Sequence, residues 1–255
     1  MSTKGHFVWY ELMTTDTAAA AAFYGEVLGW RARDAGMEGQ PYTLLSAGEA
    51  QIGGMMAMPE AYAAGGGRPG WIGYIAVADV DAGAAQVQQA GGAVHRAAED
   101  IPGVGRFAVV ADPQGAAFVL FKGNGQMPPA PPPGTPGHAG WHELHATDWP
   151  AAFAFYAGLF GWTKGEAIDI GPMGTYQLFA IDAVPSGGMM TDPDAGQRPF
   201  WMYYFNVRDI RAAAATVTAK GGQVLHGPHE VPGGAWIVNC ADPQGAMFAL
   251  VAPPG

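Results

Sequence analysis

The sequence predicts an α+β protein built from two tandem copies of one domain. Its main support is an internal repeat, in which Gly5–Trp30 and Gly137–Trp162 share 14 of 26 aligned residues at a constant offset of 132. A match of this length indicates a duplication. Each copy has the pattern of a strand, a helix and several short strands, written twice over. The two copies are separated by a proline-rich segment.

The first strand is predicted at Phe7–Met13. Asp16 is expected to cap the next helix, because its carboxylate can accept hydrogen bonds from the free N–H groups of the first turn. Gly29 is expected to end that helix. The residues between them that recur at helical spacing predict a buried face; they are Ala20, Phe23, Tyr24, Val27 and Leu28. Copy two repeats the pattern from Asp148 to Gly161.

The rest of each copy predicts short strands around one more helix. In copy one the strands are expected near Tyr42–Ala47, Gln51–Met58, Trp71–Val77, Val104–Ala111 and Ala116–Phe121, with a helix from Asp79 to Gly91. The last two strands are joined by the turn sequence Asp-Pro-Gln-Gly, which occurs at Asp112 and again at Asp242. Proline and glycine favour a tight turn at such a place.

The repeat sets the expected domain boundaries. Residues 1–121 form the first domain and residues 137–255 the second. Residues 122–136 contain six prolines, which predicts an extended linker rather than part of a core.

Composition and charge limit the kinds of molecule that the protein is expected to bind. The net charge is −10 with no basic run, which argues against nucleic acid or an anionic membrane. Charged residues are only 13% of the chain, against about 25% in typical proteins, so small and polar residues must form much of the surface. The single cysteine, Cys240, lies in a strand pattern and is expected to be buried. Without a recognisable signal peptide or spanning segment, a cytoplasmic location is expected.

Three motifs, each present in both copies, resemble the vicinal oxygen chelate superfamily. They are the strand, Thr-Asp and helix segment that ends in Gly-Trp, the helix starts at Val77–Val80 and Val207–Ile210, and the Asp-Pro-Gln-Gly turns. This superfamily includes glyoxalase I, extradiol dioxygenases and bleomycin resistance proteins, and the chain is similar to two-domain proteins related to lactoylglutathione lyase. The resemblance implies tandem domains, each made of two βαβββ modules that form a cup-like mixed sheet.

The resemblance also implies where a divalent metal would bind, on the first and last strands of the modules. The corresponding positions are Trp9, Ile72 and Val119 in copy one, and Trp141, Met202 and Ala249 in copy two, with Tyr74 and Tyr204 as alternatives after a small shift. Divalent ions bind oxygen and imidazole ligands, which the apolar residues of this set do not provide. We therefore expect the family metal site to be absent and no cofactor to be bound.

Polar residues remain on the first strand of each copy. Residues two apart on a strand share a face, so Glu11 accompanies Trp9, and Glu143 accompanies Trp141. His145 follows on the same face in copy two, where copy one has Met13. We predict Glu143 and His145 as catalytic residues, with the carboxylate orienting the imidazole. The alternative is an internal hydrogen bond or ion pair without a catalytic role.

Aromatic residues supply the remaining candidates for a ligand-binding wall. We predict that Trp9, Glu11, Tyr74, Trp141 and Tyr204 contact a ligand, with core packing as the alternative for the aromatic residues. The other histidines, including the matched pair His6 and His138, are expected to be structural.

Two functions fit these features. The first is a metal-free protein that binds a small organic molecule in an apolar pocket. The second is a lyase, isomerase or oxygenase that acts on a small aldehyde-like or aromatic substrate through Glu143 and His145. One domain can also be purely structural, and the histidines favour domain two as the functional half. A monomer is sufficient, because both domains lie in one chain, and a homodimer is compatible with the sequence.

Overall fold

The computed structural model describes residues 4–37, 39, 41–125, 131–193 and 199–254. Within these residues the chain forms sixteen β-strands, five α-helices and one short 3-10 helix at Gly171–Met173. The predicted linker, 122–136, lies partly outside the described residues.

Copy one forms the first eight strands and three helices. In chain order they are β1 (Phe7–Thr14), α1 (Thr17–Leu28), β2 (Arg31–Asp34), β3 (Thr43–Ala47), β4 (Ala50–Ala57), α2 (Glu60–Ala64), β5 (Gly70–Ala76), α3 (Val80–Gln89), β6 (Ala93–Ile101), β7 (Gly105–Ala111) and β8 (Ala117–Gly123).

Copy two forms the other eight strands and two helices. They are β9 (Ala139–Ala146), α4 (Trp149–Phe160), β10 (Thr163–Asp169), β11 (Thr175–Ile181), β12 (Val184–Thr191), β13 (Phe200–Asn206), α5 (Ile210–Ala219), β14 (Gln223–Glu230), β15 (Trp236–Ala241) and β16 (Met247–Ala252).

The strands form two eight-stranded mixed sheets that follow the repeats. The first has the order β2-β3-β4-β1-β5-β8-β7-β6, and the second has the equivalent order β10-β11-β12-β9-β13-β16-β15-β14. The first strand of each copy pairs in parallel with the fourth, while the hairpins are antiparallel. The predicted α+β class, with one mixed sheet per tandem domain, is confirmed.

The long helices begin where short acidic side chains cap them, as predicted. Asp16 accepts a hydrogen bond from the backbone N–H of Ala19, and Asp148 accepts one from Ala151. Gly29 and Gly161 end the same helices in the left-handed conformation, with φ of 69° and 75°. Glycine adopts this conformation without the steric cost that a Cβ would bring. The duplicated segment therefore carries its own start and stop signals.

The chain divides into two compact units that do not coincide with the repeats. One unit is Met1–Val8, Ile72–Ala130 and His142–Met202, and the other is Trp9–Trp71, Pro131–Trp141 and Tyr203–Gly255. Each unit thus contains residues from both copies. The domain boundaries inferred from the repeat stay a prediction.

A buried tyrosine joins helix α4 to an Asp-Pro-Gln-Gly turn in the first unit. The Tyr156 hydroxyl donates to Oδ2 of Asp112 at 3.1 Å and accepts from Nε1 of Trp201 at 3.0 Å. The other oxygen of Asp112, Oδ1, accepts from the backbone N–H groups of Gln114 and Ala116 and holds the turn in shape. One carboxylate therefore stabilises both the turn of copy one and the helix of copy two.

The second unit contains the same arrangement, but here the tyrosine lies on a helix of copy one and the aspartate in the turn of copy two. Tyr24 on α1 donates to Oδ2 of Asp242 at 3.1 Å and accepts from Nε1 of Trp71 at 2.9 Å. Tyr24 also packs edge-on against Phe248, with ring centroids 5.3 Å apart. Burial raises the pKa of the Asp242 carboxyl, as it does that of Asp112 in the first unit. These tyrosine and aspartate side chains are therefore buried in the cores of the two units.

Cys240 is buried, as predicted, and burial raises the pKa of its thiol to about 12. None of the helices in the described residues is long and apolar enough to cross a membrane.

Replacing Tyr156 or Tyr24 by phenylalanine is expected to lower the free energy of unfolding by about 1–3 kcal/mol each. Each change leaves a buried carboxylate oxygen and an indole N–H without the hydroxyl between them. Urea denaturation of Tyr156→Phe and Tyr24→Phe, with the exposed Tyr62→Phe as control, measures this. A loss no larger than that of the control would show that the hydroxyls do not stabilise the cores.

Candidate functional site

Four polar side chains of the first unit form a continuous hydrogen-bonded chain. Nδ1 of His145 lies 2.8 Å from Oδ2 of Asp192, and Nε2 lies 2.9 Å from Oε1 of Glu143. The other oxygen of Glu143, Oε2, accepts from the Tyr176 hydroxyl at 2.8 Å. We call Asp192, His145, Glu143 and Tyr176 the polar cluster. It includes both residues that the sequence predicted as catalytic.

The strands of the second sheet place these side chains side by side. Glu143 and His145 are two residues apart on β9 and so share a face. Strand β12 runs parallel to β9, with Met190 opposite His145, and Asp192 follows two residues later. Tyr176 comes from β11, the next strand of the sheet.

A glycine on β12 lets Tyr176 reach the carboxylate. Gly188 lies directly opposite Glu143, and a Cβ at this position would overlap the ring of Tyr176. The tyrosine ring can therefore lie against the strand only because residue 188 has no side chain. Gly54, Glu11 and Tyr42 repeat this arrangement in copy one.

The surroundings of His145 favour its charged form. Burial by itself would lower its pKa, but the hydrogen bonds and negative charges of Glu143 and Asp192 outweigh burial, so the pKa of His145 is raised. An ionised carboxylate only accepts hydrogen bonds, so this arrangement calls for a proton on each ring nitrogen. Glu143 and His145 are each 7% exposed, so this ion pair is largely removed from water.

An aromatic ring covers the imidazole. The ring of Phe200 stacks on His145 with centroids 4.4 Å apart and planes inclined by 7°. A cation over an aromatic face gains electrostatic attraction, which adds to the effect of the two carboxylates. Phe200 therefore also favours the charged form of His145.

This geometry changes the roles expected from the sequence. Glu143 was predicted to orient His145 as the base, but an imidazolium with both nitrogens donating has no lone pair with which to accept a proton. The candidate base is Glu143, and Tyr176 is the candidate acid that hydrogen-bonds to it. Whether these groups act on a bound molecule stays a prediction.

Copy one has the glutamate and the tyrosine of this arrangement but not the histidine or the second carboxylate. Nε1 of Trp9 donates to the Tyr42 hydroxyl at 3.0 Å, and Tyr42 interacts with Glu11. Burial, and then the charge of Glu11, raise the pKa of Tyr42. Met13 and Met58 stand where copy two has His145 and Asp192. The histidine and its second carboxylate therefore occur together in copy two and are both absent from copy one.

The other predicted ligand-binding residues have different surroundings. Tyr74 is 6% exposed, lies opposite Val119 and packs against Phe121 with ring centroids 5.8 Å apart. Tyr204 is 2% exposed and lies opposite Ala249. Trp141 is half-buried. Such burial fits the alternative of core packing for the two tyrosines, and a ligand contact for any of the three stays a prediction.

His142, next to Glu143 on β9, lies in surroundings that favour its neutral form, unlike those of His145. Its ring stacks on Phe7 with centroids 4.1 Å apart, and Nδ1 lies 2.7 Å from the carbonyl oxygen of Ser186. Burial lowers the pKa of His142 to about 4. The carbonyl requires a proton on Nδ1, so His142 is a neutral, structural residue.

The positions that the resemblance assigns to the family metal do not carry a suitable donor set. Val119, Met202 and Ala249 are buried and apolar. In the described ranges, no group of three or more His, Cys, Asp or Glu residues is arranged to hold a metal ion. In the polar cluster both imidazole nitrogens of His145 already contact carboxylates, so neither nitrogen is available to a metal ion.

A cavity of about 140 Å³ lies elsewhere in the first unit, between α3 and α4. It touches none of the four residues of the polar cluster and is lined largely by apolar residues such as Val77, Leu120 and Leu159. Sites for drug-sized ligands are usually about 300–1,000 Å³. No residue predicted as catalytic or ligand-binding lines this cavity or the open hollow of about 460 Å³ that adjoins it, so we place the candidate site at the polar cluster.

Tyr176, Asp192 and Phe200 were not predicted from the sequence. Signals for the first two exist in the repeat. Tyr42 and Tyr176 are matched residues that precede matched Gly-Gly pairs at Gly53 and Gly187. Asp192 replaces Met58 as His145 replaces Met13, so the two changes could have been paired. No pattern in the sequence indicates that Phe200 covers the imidazole.

His145→Met places the copy-one residue in copy two and is expected to lower the free energy of unfolding by about 3 kcal/mol. The reason is that Glu143 and Asp192 then lose the positive charge between them. The double variant His145→Met, Asp192→Met is expected to recover part of this loss, because it also removes one unpaired carboxylate. Urea denaturation of both variants measures the effect.

The pH dependence gives a second check on the same proteins. Because the folded pKa of His145 is raised, its contribution is complete below about pH 6.5, the unfolded value, and is lost as the pH rises through the folded pKa. The wild type should therefore lose stability relative to the double variant above about pH 6.5. A difference that does not change with pH, or a single variant as stable as the wild type, would contradict the charged pair.

Comparison with known proteins identifies the family. The model of the Glyoxalase/Bleomycin resistance protein/Dioxygenase superfamily matches residues 5–120 and again 136–250. The putative glyoxylase CFP32 of Mycobacterium tuberculosis is 35% identical over 248 residues, covering 96% of this chain and 94% of that protein. The anthracycline biosynthesis protein DauV of Streptomyces sp. (strain C5) is 34% identical over 259 residues, covering 95% and 91%.

Solved structures show the same fold at low sequence identity. The Mn(II)-bound glyoxalase from Novosphingobium aromaticivorans superposes with a TM-score of 0.66 at 17% identity, covering 99% of this chain and 83% of that one. The 2,3-dioxygenase LapB from Pseudomonas sp. KL28 gives a TM-score of 0.68 at 13% identity, covering 100% and 94%. The duplicated family match, the mixed sheets and these relatives together show that the chain belongs to the glyoxalase/bleomycin resistance protein/dioxygenase superfamily.

Proposed function

We propose that copy two binds a small, neutral or cationic aromatic molecule at the polar cluster, and that it does so without the family metal. The observation that carries the proposal is the paired appearance of His145 and Asp192 beside a glutamate and a tyrosine that both copies share. A buried charged network is costly to maintain. Its presence in one copy and absence from the other favours a specific role.

The charge of the cluster restricts the ligand. Glu143 and Asp192 contribute two negative charges and His145 one positive charge, which leaves a net charge of −1 in largely buried surroundings. A ligand carboxylate would be repelled there, whereas an ammonium group or a neutral hydrogen-bonding group would not. The side chain of Asp192 is 20% exposed and that of Tyr176 is half-buried, so these residues form the accessible ends of the cluster.

Aromatic surroundings favour an aromatic ligand. Phe200 and Tyr176 flank the charged residues, and flat rings stack well on such side chains. The relative DauV is described as an anthracycline biosynthesis protein, and anthracyclines are fused aromatic ring systems. This relation supports an aromatic ligand for the present chain.

The proposal that no family metal takes part rests on the chemistry of the side chains. Trp9, Ile72, Val119, Trp141, Met202 and Ala249 provide neither carboxylate nor imidazole at the positions that the family uses. Binding through the polar cluster needs only hydrogen bonds and charge.

A second candidate function is catalysis of proton transfer, as in an isomerase or lyase of this family. It is favoured by the unbroken chain from Asp192 through His145 and Glu143 to Tyr176, which links a base and a hydroxyl to a partly exposed carboxylate. The name of the relative CFP32, a putative glyoxylase, is consistent with an enzyme that acts on a small aldehyde-like substrate. Oxygenase chemistry has no comparable support in these side chains.

A panel of matched naphthalene derivatives tests the binding proposal. Naphthylmethylamine and naphthalenemethanol are expected to bind and to raise the melting temperature, whereas naphthoate is expected to bind at least about tenfold more weakly because of the net negative charge. Calorimetric titration of each compound measures the affinities.

The matched variants Glu143→Gln and Glu11→Gln separate the two copies. Glu143→Gln should reduce the affinity for the amine by roughly tenfold, and Glu11→Gln should leave it nearly unchanged. Equal binding of naphthoate and the amine would contradict the charge argument. Equal effects of the two variants would contradict the assignment to copy two.

A further inference from the structure

Two histidines on the edge strand of the second sheet are brought together by a β-bulge. His226 lies opposite Asn239, and His229 lies opposite Ile237. The partner strand advances by two residues between these pairs, while β14 advances by three. The extra residue places His226 and His229 on the same face, although residues three apart on a regular strand point to opposite faces. Their ring centroids are 4.6 Å apart.

Copy one has the same bulge with different side chains. Arg96 lies opposite Val109 and Glu99 lies opposite Phe107, at an offset of 130 residues from the pairs of copy two. Arg96 and Glu99 form an ion pair there. The bulge therefore brings its two side chains into contact in both copies, and only their chemistry differs.

A third donor adjoins the histidine pair. Asn239, opposite His226, replaces Val109 of copy one. Among the described residues, the buried side-chain oxygen of Asn239 is one of three buried polar atoms without a hydrogen-bond partner. Such an atom is costly unless something binds it. The Arg96 and Val109 side chains of copy one do not ligate metals, whereas His226 and Asn239 can, and the Glu99 carboxylate of copy one is paired with Arg96.

We propose that His226, His229 and Asn239 form a binding site for a divalent transition-metal ion such as Zn²⁺ or Ni²⁺. Two imidazole nitrogens and an amide oxygen suit these ions, whereas Mg²⁺ prefers a shell of oxygens. His226 is exposed, so an ion can enter from solvent and keep water ligands. This site is separate from the family metal positions, and its existence does not depend on the proposed ligand of the polar cluster.

Titration of untagged, chelator-treated protein tests the site. One equivalent of Ni²⁺ or Zn²⁺ is expected to bind in a calorimetric titration, and Mg²⁺ is expected not to bind. The double variant His226→Arg, His229→Glu installs the ion pair of copy one and should abolish this binding while keeping the fold. Asn239→Val, the other copy-one residue, should weaken binding by roughly tenfold, a typical cost for a supporting metal-site contact.

The titrations of the wild type and of the double variant decide the proposal. Loss of the equivalent in the double variant, with its unfolding transition retained, would support the site. No binding to the wild type, or the same binding in the double variant, would overturn it.

Discussion

The contact of His145 with Glu143 and Asp192 is the constraint on which the rest of the polar cluster depends. Two carboxylates accept from both nitrogens of one buried ring, at 2.9 and 2.8 Å, and hold it as a cation. The charge of His145 attracts the Glu143 carboxylate, which also accepts from the Tyr176 hydroxyl. Removing Glu143 or His145 leaves the other without its partner in surroundings largely shielded from water.

The duplication gave two equivalent backbones on which different side chains have been placed. The capped helices, the tyrosine and aspartate contacts in the cores and the Gly-Gly strands occur in both copies. The differences are concentrated at a few positions, where Met13 and Met58 correspond to His145 and Asp192, and Arg96 and Glu99 correspond to His226 and His229. Comparison of the copies therefore distinguishes residues that maintain the fold from residues that give copy two its own chemistry.

Much of the fold could be predicted from the sequence, because caps, apolar spacing and turns act locally. Helix α1 between Asp16 and Gly29 is an example. The edge strands β2 and β6 were missed because their exposed residues do not alternate between apolar and polar. In the site, Glu143 and His145 were found through strand periodicity. Asp192 and Phe200 were not found, because their contacts with His145 depend on how separate strands pair.

The most direct test of the account is the protonation state of His145, measured by nitrogen NMR of the histidine rings. At pH 6.5 an ordinary histidine is about half charged. We expect both ring nitrogens of His145 to carry protons at this pH, and His142 in the same protein to be neutral, with its proton on Nδ1. If His145 instead shows one unprotonated nitrogen at pH 6.5, it is not the cation that joins the two carboxylates, and the account of the site is wrong.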